Sequence, residues 1–81
     1  MHILTHSEFE TVLLNVYPML QIGGKLYYTP VLNRLNHLSV SDSNSQALLS
    51  LILETVETAM VSDNTIQYTE MLGQIKTFCN I

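Results

Sequence analysis

Charged side chains are scarce in this 81-residue sequence, where they make up 12% of the residues against roughly 25% in average soluble domains. Hydrophobic residues account for 47%, yet a chain this short buries only about 60–65% of the surface that it exposes when unfolded. The excess predicts an exposed apolar patch, and with it a homo-oligomer or a partner surface. The alternative is that the many Ser, Thr, Asn and Gln side chains cover the surface instead of charges.

Basic residues are the scarcest charges, since Lys25, Arg34 and Lys76 are the three in the chain and the formal net charge is −4. Five acids and no base lie between positions 35 and 75. Proteins that bind double-stranded nucleic acid draw most of their affinity from Lys and Arg on phosphates, so we expect no such partner. A helix-turn-helix over positions 29–61 is disfavoured because its second helix would carry neither Lys nor Arg. The acidic balance is compatible with a basic protein surface as partner.

A single cysteine, Cys79, leaves no internal disulfide and favours a reducing, cytoplasmic setting. The first ten residues lack a basic region followed by an apolar core, so we expect no signal peptide. No apolar run approaches the roughly 18 residues of a membrane span, so we expect no membrane partner. The length predicts a single helical domain over residues 1–81.

The stretch 45–61 is the one around which the rest of the chain is organised. Its apolar residues recur at helical spacing, and a second group widens the stripe: Leu49, Ile52, Leu53, Val56 and Met60, then Leu48, Leu51 and Thr55. A helix with so wide an apolar face is expected to lie between neighbours. A buried strand over 47–53 is the alternative, which the Leu- and Ala-rich composition disfavours. Ser43 with Gln46 predicts a capping box at its start.

Similar stripes at both ends of the chain predict two more helices, the first along Phe9, Val12, Leu13, Val16, Tyr17 and Leu20 and the last along Tyr68, Met71, Leu72, Ile75, Phe78 and Cys79. With a short helix between, we expect helices near 7–21, 30–38, 44–61 and 64–79. The fold class is therefore all-α, a small compact bundle of about four helices.

Local signals set the expected helix ends. Thr5 with Glu8, or Ser7 with Glu10, begins the first helix, and Pro18 kinks or ends it near Tyr17. Residues 25–28 are expected to be a connector, with Thr29 as N-cap and Pro30 as the first residue of the next helix. We expect residues 1–5 to be an irregular lead-in, with an edge strand as the alternative, and 39–44 to be a polar loop. Gly73 lies inside the last predicted helix, where it either allows close approach by another chain or is simply tolerated on the surface.

Catalytic and metal motifs are incomplete. Gly24-Lys25 lacks the earlier glycine of a P-loop, where Met19 stands, and Leu26 replaces its Ser or Thr. His2 and His6 have the spacing of zinc ligands on a helix but no third ligand or intervening Glu. Cys79 is expected to act as a small hydrophobe, and nothing in the sequence indicates burial of the carboxylates at 54 and 57. We therefore assign no catalytic, metal or cofactor residue and expect no enzyme.

These observations favour a non-enzymatic protein–protein interaction module, a small regulator or inhibitor that acts through an apolar patch flanked by acids. The partner would be another protein or a second copy, most simply in a dimer, and the candidate partner-binding residues are Tyr27, Tyr28, Arg34, Leu48 and Leu51. Tyrosine is enriched at binding hot spots. The alternative function is binding of a small anion or nucleotide in a pocket between subunits, lined by Tyr27, Tyr28, Arg34 and His37.

Overall fold

Four helices joined by short turns make up most of the protein, seen in a computed structural model that describes residues 2–81. In chain order the elements are β1 (Ile3–Leu4), α1 (His6–Ile22), α2 (Lys25–Leu35), β2 (Ser39–Val40), α3 (Ser43–Val61) and α4 (Thr65–Cys79). Each helix packs against the next, and α4 returns to α1, so the four form a closed ring. The predicted small all-α bundle is confirmed.

Two very short strands pair at the starts of α1 and α3. Ile3 pairs with Ser39 and Leu4 with Val40 in a parallel register, and the Ser41 amide donates to the Leu4 carbonyl at 3.0 Å. Because β1 leads into α1 and β2 leads into α3, the pairing places the N-termini of both helices at the same end of the bundle. The irregular lead-in predicted over residues 1–5 is wrong at positions 3 and 4, where the edge-strand alternative is correct. Met1 lies outside the described residues.

The core follows the predicted stripes. The buried hydrophobic residues on the four helices and β2 are Phe9, Leu13, Val16, Leu20, Val31, Leu35, Val40, Leu48, Leu49, Ile52, Val56, Met71, Ile75 and Cys79. The wide face of α3 contacts α2 on one side and α4 on the other, as expected for a helix with two apolar flanks. Each large aliphatic side chain that is fully buried contributes about 1.5–3 kcal/mol, so this shared core is the main source of stability.

Helix α1 begins with the capping box formed by Thr5 and Glu8. The Thr5 hydroxyl accepts from the Glu8 amide at 3.3 Å, and the Glu8 carboxylate accepts from the Thr5 amide at 2.9 Å. These bonds, the backbone one first, and the contact with His2 lower the pKa of Glu8. Of the two boxes predicted for this helix, the structure therefore forms the earlier one.

Proline does not stop either of the helices that contain it. Of the predicted kink or end near Tyr17, the end is wrong, because helix α1 runs through Pro18 to Ile22. The buried residues before and after Pro18 hold both halves against the same core. Helix α2 begins at Lys25 and contains Pro30 in its interior, so the predicted connector over 25–28 is wrong. Gly23 and Gly24 have φ of 74° and 94°, which turns the chain so sharply that the next helix starts at once.

Helix α3 is capped by Asp42 and not by the predicted Ser43. The Asp42 carboxylate accepts from the Ser45 amide at 3.0 Å and from the Ser45 hydroxyl at 2.7 Å. The hydrogen bonds from Ser45 hold the pKa of Asp42 below its ordinary value. Gln46 instead donates to the Val40 carbonyl at 3.3 Å, which ties the start of α3 to β2. Part of the predicted polar loop over 39–44 is therefore strand and helix.

The first prediction concerns the cap of α1. Replacing Thr5 with Ala removes the hydroxyl that accepts from the Glu8 amide, and such a loss costs about 1 kcal/mol. We expect the melting temperature of T5A to fall by about 4–8 °C in differential scanning calorimetry. The matched variant S7A removes the hydroxyl of the alternative capping box, which the structure does not form, and its melting temperature should equal that of the native protein within error. Equal losses in the two variants would contradict the assigned cap.

The second prediction concerns Thr55, which is fully buried on α3. Its hydroxyl has no hydrogen-bond partner within the described chain, and an unsatisfied buried polar group costs about 1–3 kcal/mol. The isosteric change Thr55→Val should therefore raise the free energy of unfolding by about 1 kcal/mol, measured by urea denaturation. Ser45→Ala is the control, since this buried hydroxyl is bonded to Asp42 and its loss should destabilise. A less stable T55V would show that the Thr55 hydroxyl is bonded.

Candidate functional site

Apolar side chains are exposed mainly at the end of the bundle opposite the strands. Within residues 2–81, the four most exposed large aliphatic residues are Ile22, Leu26, Val61 and Ile66, at 69%, 87%, 85% and 81%. They close α1, open α2, close α3 and open α4 respectively. Since the helices alternate in direction, all four residues come to the same end, which we call the apolar end.

Two tyrosines hold the apolar end together. The Tyr68 hydroxyl of α4 donates to the Leu20 carbonyl of α1, and the Tyr28 ring of α2 lies 5.8 Å from the Tyr68 ring. Burial, followed by the contact with Tyr28, raises the pKa of Tyr68 above its ordinary value. A Cβ on Gly23 would lie 3.3 Å from the Tyr28 hydroxyl oxygen. Three helices are thereby fixed at the base of the exposed aliphatic residues.

Acidic side chains border the apolar end on the α4 side. Ile66 lies in a shallow groove of about 510 Å³ whose lining includes Asp63, Gln67 and Glu70. Lys25 is the neighbour of Leu26 in the sequence and is also exposed. The apolar end therefore has carboxylates beside Ile66 and a cation next to Leu26 in the sequence.

A second groove of about 670 Å³ runs between α3 and α4, lined by Asn44, Ala47, Leu48, Glu70, Gly73, Gln74, Thr77 and Phe78. Leu48 and Phe78 supply its apolar floor. A Cβ on Gly73 would meet no atom within 4 Å. Packing within the chain therefore does not require glycine at this position.

The predicted partner-binding residues do not form one surface. Tyr27 and Tyr28 are half-buried in the first turn of α2, Leu51 is half-buried on α3, and Leu48 is 5% exposed at the floor of the second groove. Arg34 is exposed farther along α2, beside a cavity of about 100 Å³ that also touches Val16 and Met19. The two tyrosines thus contribute to the apolar end, whereas Leu48 belongs to the groove.

The alternative ligand pocket is not assembled within a single chain. Tyr28 and Arg34 line different cavities, and His37 is exposed beyond the end of α2. A pocket shared between subunits stays a prediction.

The sequence did not predict three of the residues at the apolar end, Leu26, Val61 and Ile66, as part of a binding surface. Each lies off the apolar stripe of its helix, and each lies within two residues of a helix end. That combination is the signal that could have found them, because an aliphatic residue outside the stripe has no place in the core.

Two of the three histidines, His2 and His6, make local side-chain contacts. His2 lies 3.1 Å from the Glu8 carboxylate and His6 3.9 Å from that of Glu10, while the His6 ring stacks on Phe78 at 4.3 Å. Among residues 2–81, no group of three or more His, Cys, Asp or Glu residues is arranged to hold a metal ion. Glu54 and Glu57 are both exposed.

No family model matches the chain, and no curated protein or solved structure matches it significantly. None of the helices within the described chain is long and apolar enough to cross a membrane.

The third prediction concerns the Cys79 thiol, which is 5% exposed and lies 3.9 Å from the Glu10 carbonyl oxygen. Burial, and secondarily the negative charge of Glu10, raises the pKa of Cys79, and the thiolate is the reactive form. We expect iodoacetamide to alkylate the native protein at pH 8 at least tenfold more slowly than the protein unfolded in guanidinium chloride, followed by mass spectrometry. Equal rates in the two states would show an accessible, ionised thiol.

Proposed function

We propose that the protein is a non-enzymatic protein–protein interaction module, a small regulator or inhibitor that docks on its partner through the apolar end. The observation that supports this proposal is the grouping of Ile22, Leu26, Val61 and Ile66 at one end, each more than two-thirds exposed. An isolated aliphatic residue on a surface is ordinary, but four at one end are not.

The size and rigidity of the apolar end suit a docking surface. Four aliphatic side chains at this exposure present on the order of 400 Å² of apolar area, in the range of the largest patches on monomeric proteins. Tyr68 and Tyr28 fix the helix ends beneath them. A surface that is already ordered loses little conformational entropy on binding, which favours affinity.

The border of the apolar end defines the chemistry of the partner. Asp63 and Glu70 flank Ile66, and the chain carries a net charge of −4. The partner surface would therefore be apolar with a basic border, which would steer association and reject acidic surfaces. We further propose that the protein acts in the cytoplasm, where its single thiol stays reduced.

The fourth prediction tests the apolar end by affinity capture. The double variant L26D/V61D places carboxylates at the two most exposed of the four positions of the apolar end, where a docked partner would bury them unpaired. We expect at least one protein, quantified by mass spectrometry from a lysate of the cells that encode this chain, to be retained by the native protein and reduced at least tenfold by the variant.

The matched control is N33D/S50D, which adds the same charge on exposed positions of the same two helices. Circular dichroism would show that both variants keep the helical content of the native protein. Retention of an equal set of proteins by all three versions would refute docking through the apolar end.

A further inference from the structure

A small pocket lies between the end of α3 and the start of α4, beside the apolar end. Its lining includes Tyr28 of α2, Tyr68 of α4, Ala59 near the end of α3, and residues 62–65. Its volume is about 210 Å³, below the range of about 300–1,000 Å³ that is typical of pockets for drug-sized ligands. The pocket therefore suits a small chemical group and not a large molecule.

The two tyrosine rings of this pocket suit a cation. Their centroids are 5.8 Å apart and their planes are inclined at 52°. A cation in the angle between the rings can lie within about 6 Å of both centroids, which is the reach of a cation–π contact. The Tyr68 hydroxyl donates to the Leu20 carbonyl of α1, so its ring is held in place without a ligand.

The Asp63 carboxylate adds negative charge to the pocket. Asp63 is exposed, and its carboxylate accepts from the Thr65 hydroxyl at 2.6 Å, a neutral partner that leaves the charge uncompensated. Within residues 2–81, the ion pairs are those that His2 and His6 make with acids of α1, so no Lys or Arg pairs with Asp63. A cationic ligand would therefore meet a free counter-charge.

The end of α3 contributes to the same negative potential. A helix carries roughly half a negative charge at its C-terminus, which a cation near the last turn stabilises, and α3 has no basic residue there. The Thr58 carbonyl accepts from the Ser62 amide at 2.9 Å. No backbone amide within the described chain donates to the carbonyls of Ala59, Met60 and Val61, and Ala59 lines the pocket.

We propose that this pocket binds a methylated ammonium group, with the Tyr28 and Tyr68 rings against its methyl groups and the Asp63 carboxylate beside its charge. An unmodified lysine ammonium is a compact and strongly hydrated charge, whereas methyl groups in place of its N–H donors let the cation pack on aromatic faces. The inference deepens the proposed function and rests on it for the partner with a basic border, since a methylated lysine of that border would supply the group. A free compound such as choline has the same chemistry.

The fifth prediction is a titration of the purified chain with choline chloride at constant ionic strength, followed by the amide chemical shifts of the isotope-labelled protein. We expect saturable shifts at Tyr28 and at positions 59–69, with a dissociation constant in the millimolar range, because few contacts supply the affinity. The neutral isostere of choline, in which carbon replaces the quaternary nitrogen, should bind about tenfold more weakly. Equal binding of the two compounds, or no saturation by choline, would overturn the proposal.

Two matched pairs of variants locate the site. D63N removes the carboxylate charge and should weaken choline binding about threefold, whereas E54Q removes an equal charge at another exposed position and should bind choline like the native chain. Y28L removes one ring and should weaken binding about fivefold, whereas Y28F keeps the aromatic face and should leave it unchanged. Circular dichroism would show that each variant is folded, and the exposed position of Asp63 makes D63N informative even if Y28L is not. Unchanged binding by D63N would overturn the assigned site.

A second titration distinguishes the two sources of the group. A tripeptide with trimethyllysine between two leucines offers the same cation together with apolar neighbours for Leu26 and Val61. If a partner protein supplies the group, this peptide should bind about tenfold more tightly than choline, and L26S/V61S should remove that gain. Equal affinities of peptide and choline would assign the pocket to a free compound.

The same tripeptide with unmodified lysine tests the need for methyl groups. It should bind about fivefold more weakly than the methylated peptide, and an equal affinity would overturn the preference for a methylated cation. These titrations use the purified chain and need no captured partner. Failure of the pocket is therefore distinguishable from failure of docking through the apolar end, which L26D/V61D tests.

Discussion

The burial of α3 between α2 and α4 is the constraint on which the rest of this structure depends. The apolar residues of α3 cover a wider arc of the helix surface than those of a helix with one buried and one solvent-exposed face. A neighbouring helix is therefore needed on each side of α3. Ile52 and Val56, both fully buried, lie on this wide face. Helix α1 then completes the ring by contacting both α2 and α4.

This arrangement decides where the leftover apolar area goes. The chain has 81 residues, of which 47% are hydrophobic. The apolar stripes on the inner faces of the helices fill the interior of the ring. Aliphatic residues off those stripes must lie at helix ends or on outer faces. Four of them share the apolar end.

Tertiary packing overrides local signals at several places in this protein. Pro18 and Pro30 both lie inside helices, although each removes a backbone donor. At Pro30 the stronger signal was the pair of glycines before it, whose positive φ values turn the chain just before Lys25. At Pro18 the buried residues on both sides of the proline hold the helix to the core. The sum of buried contacts outweighs one missing hydrogen bond.

The sequence by itself determined the number of helices and the residues that line the inner faces of α1, α3 and α4, because apolar residues spaced along a helix report its buried side directly. It placed the second helix too late in the chain, since α2 begins at Lys25. It also supplied Tyr27 and Tyr28 of the apolar end, although it grouped them with Leu48, which lies in a different groove. Only the tertiary structure decided that β1 pairs with β2 and that Ile22, Leu26, Val61 and Ile66 meet at one end. The reason is that periodicity describes each helix separately, whereas the meeting of helix ends depends on the directions of the helices in the assembled bundle, in which the parallel pairing of β1 with β2 puts the starts of α1 and α3 at the same end.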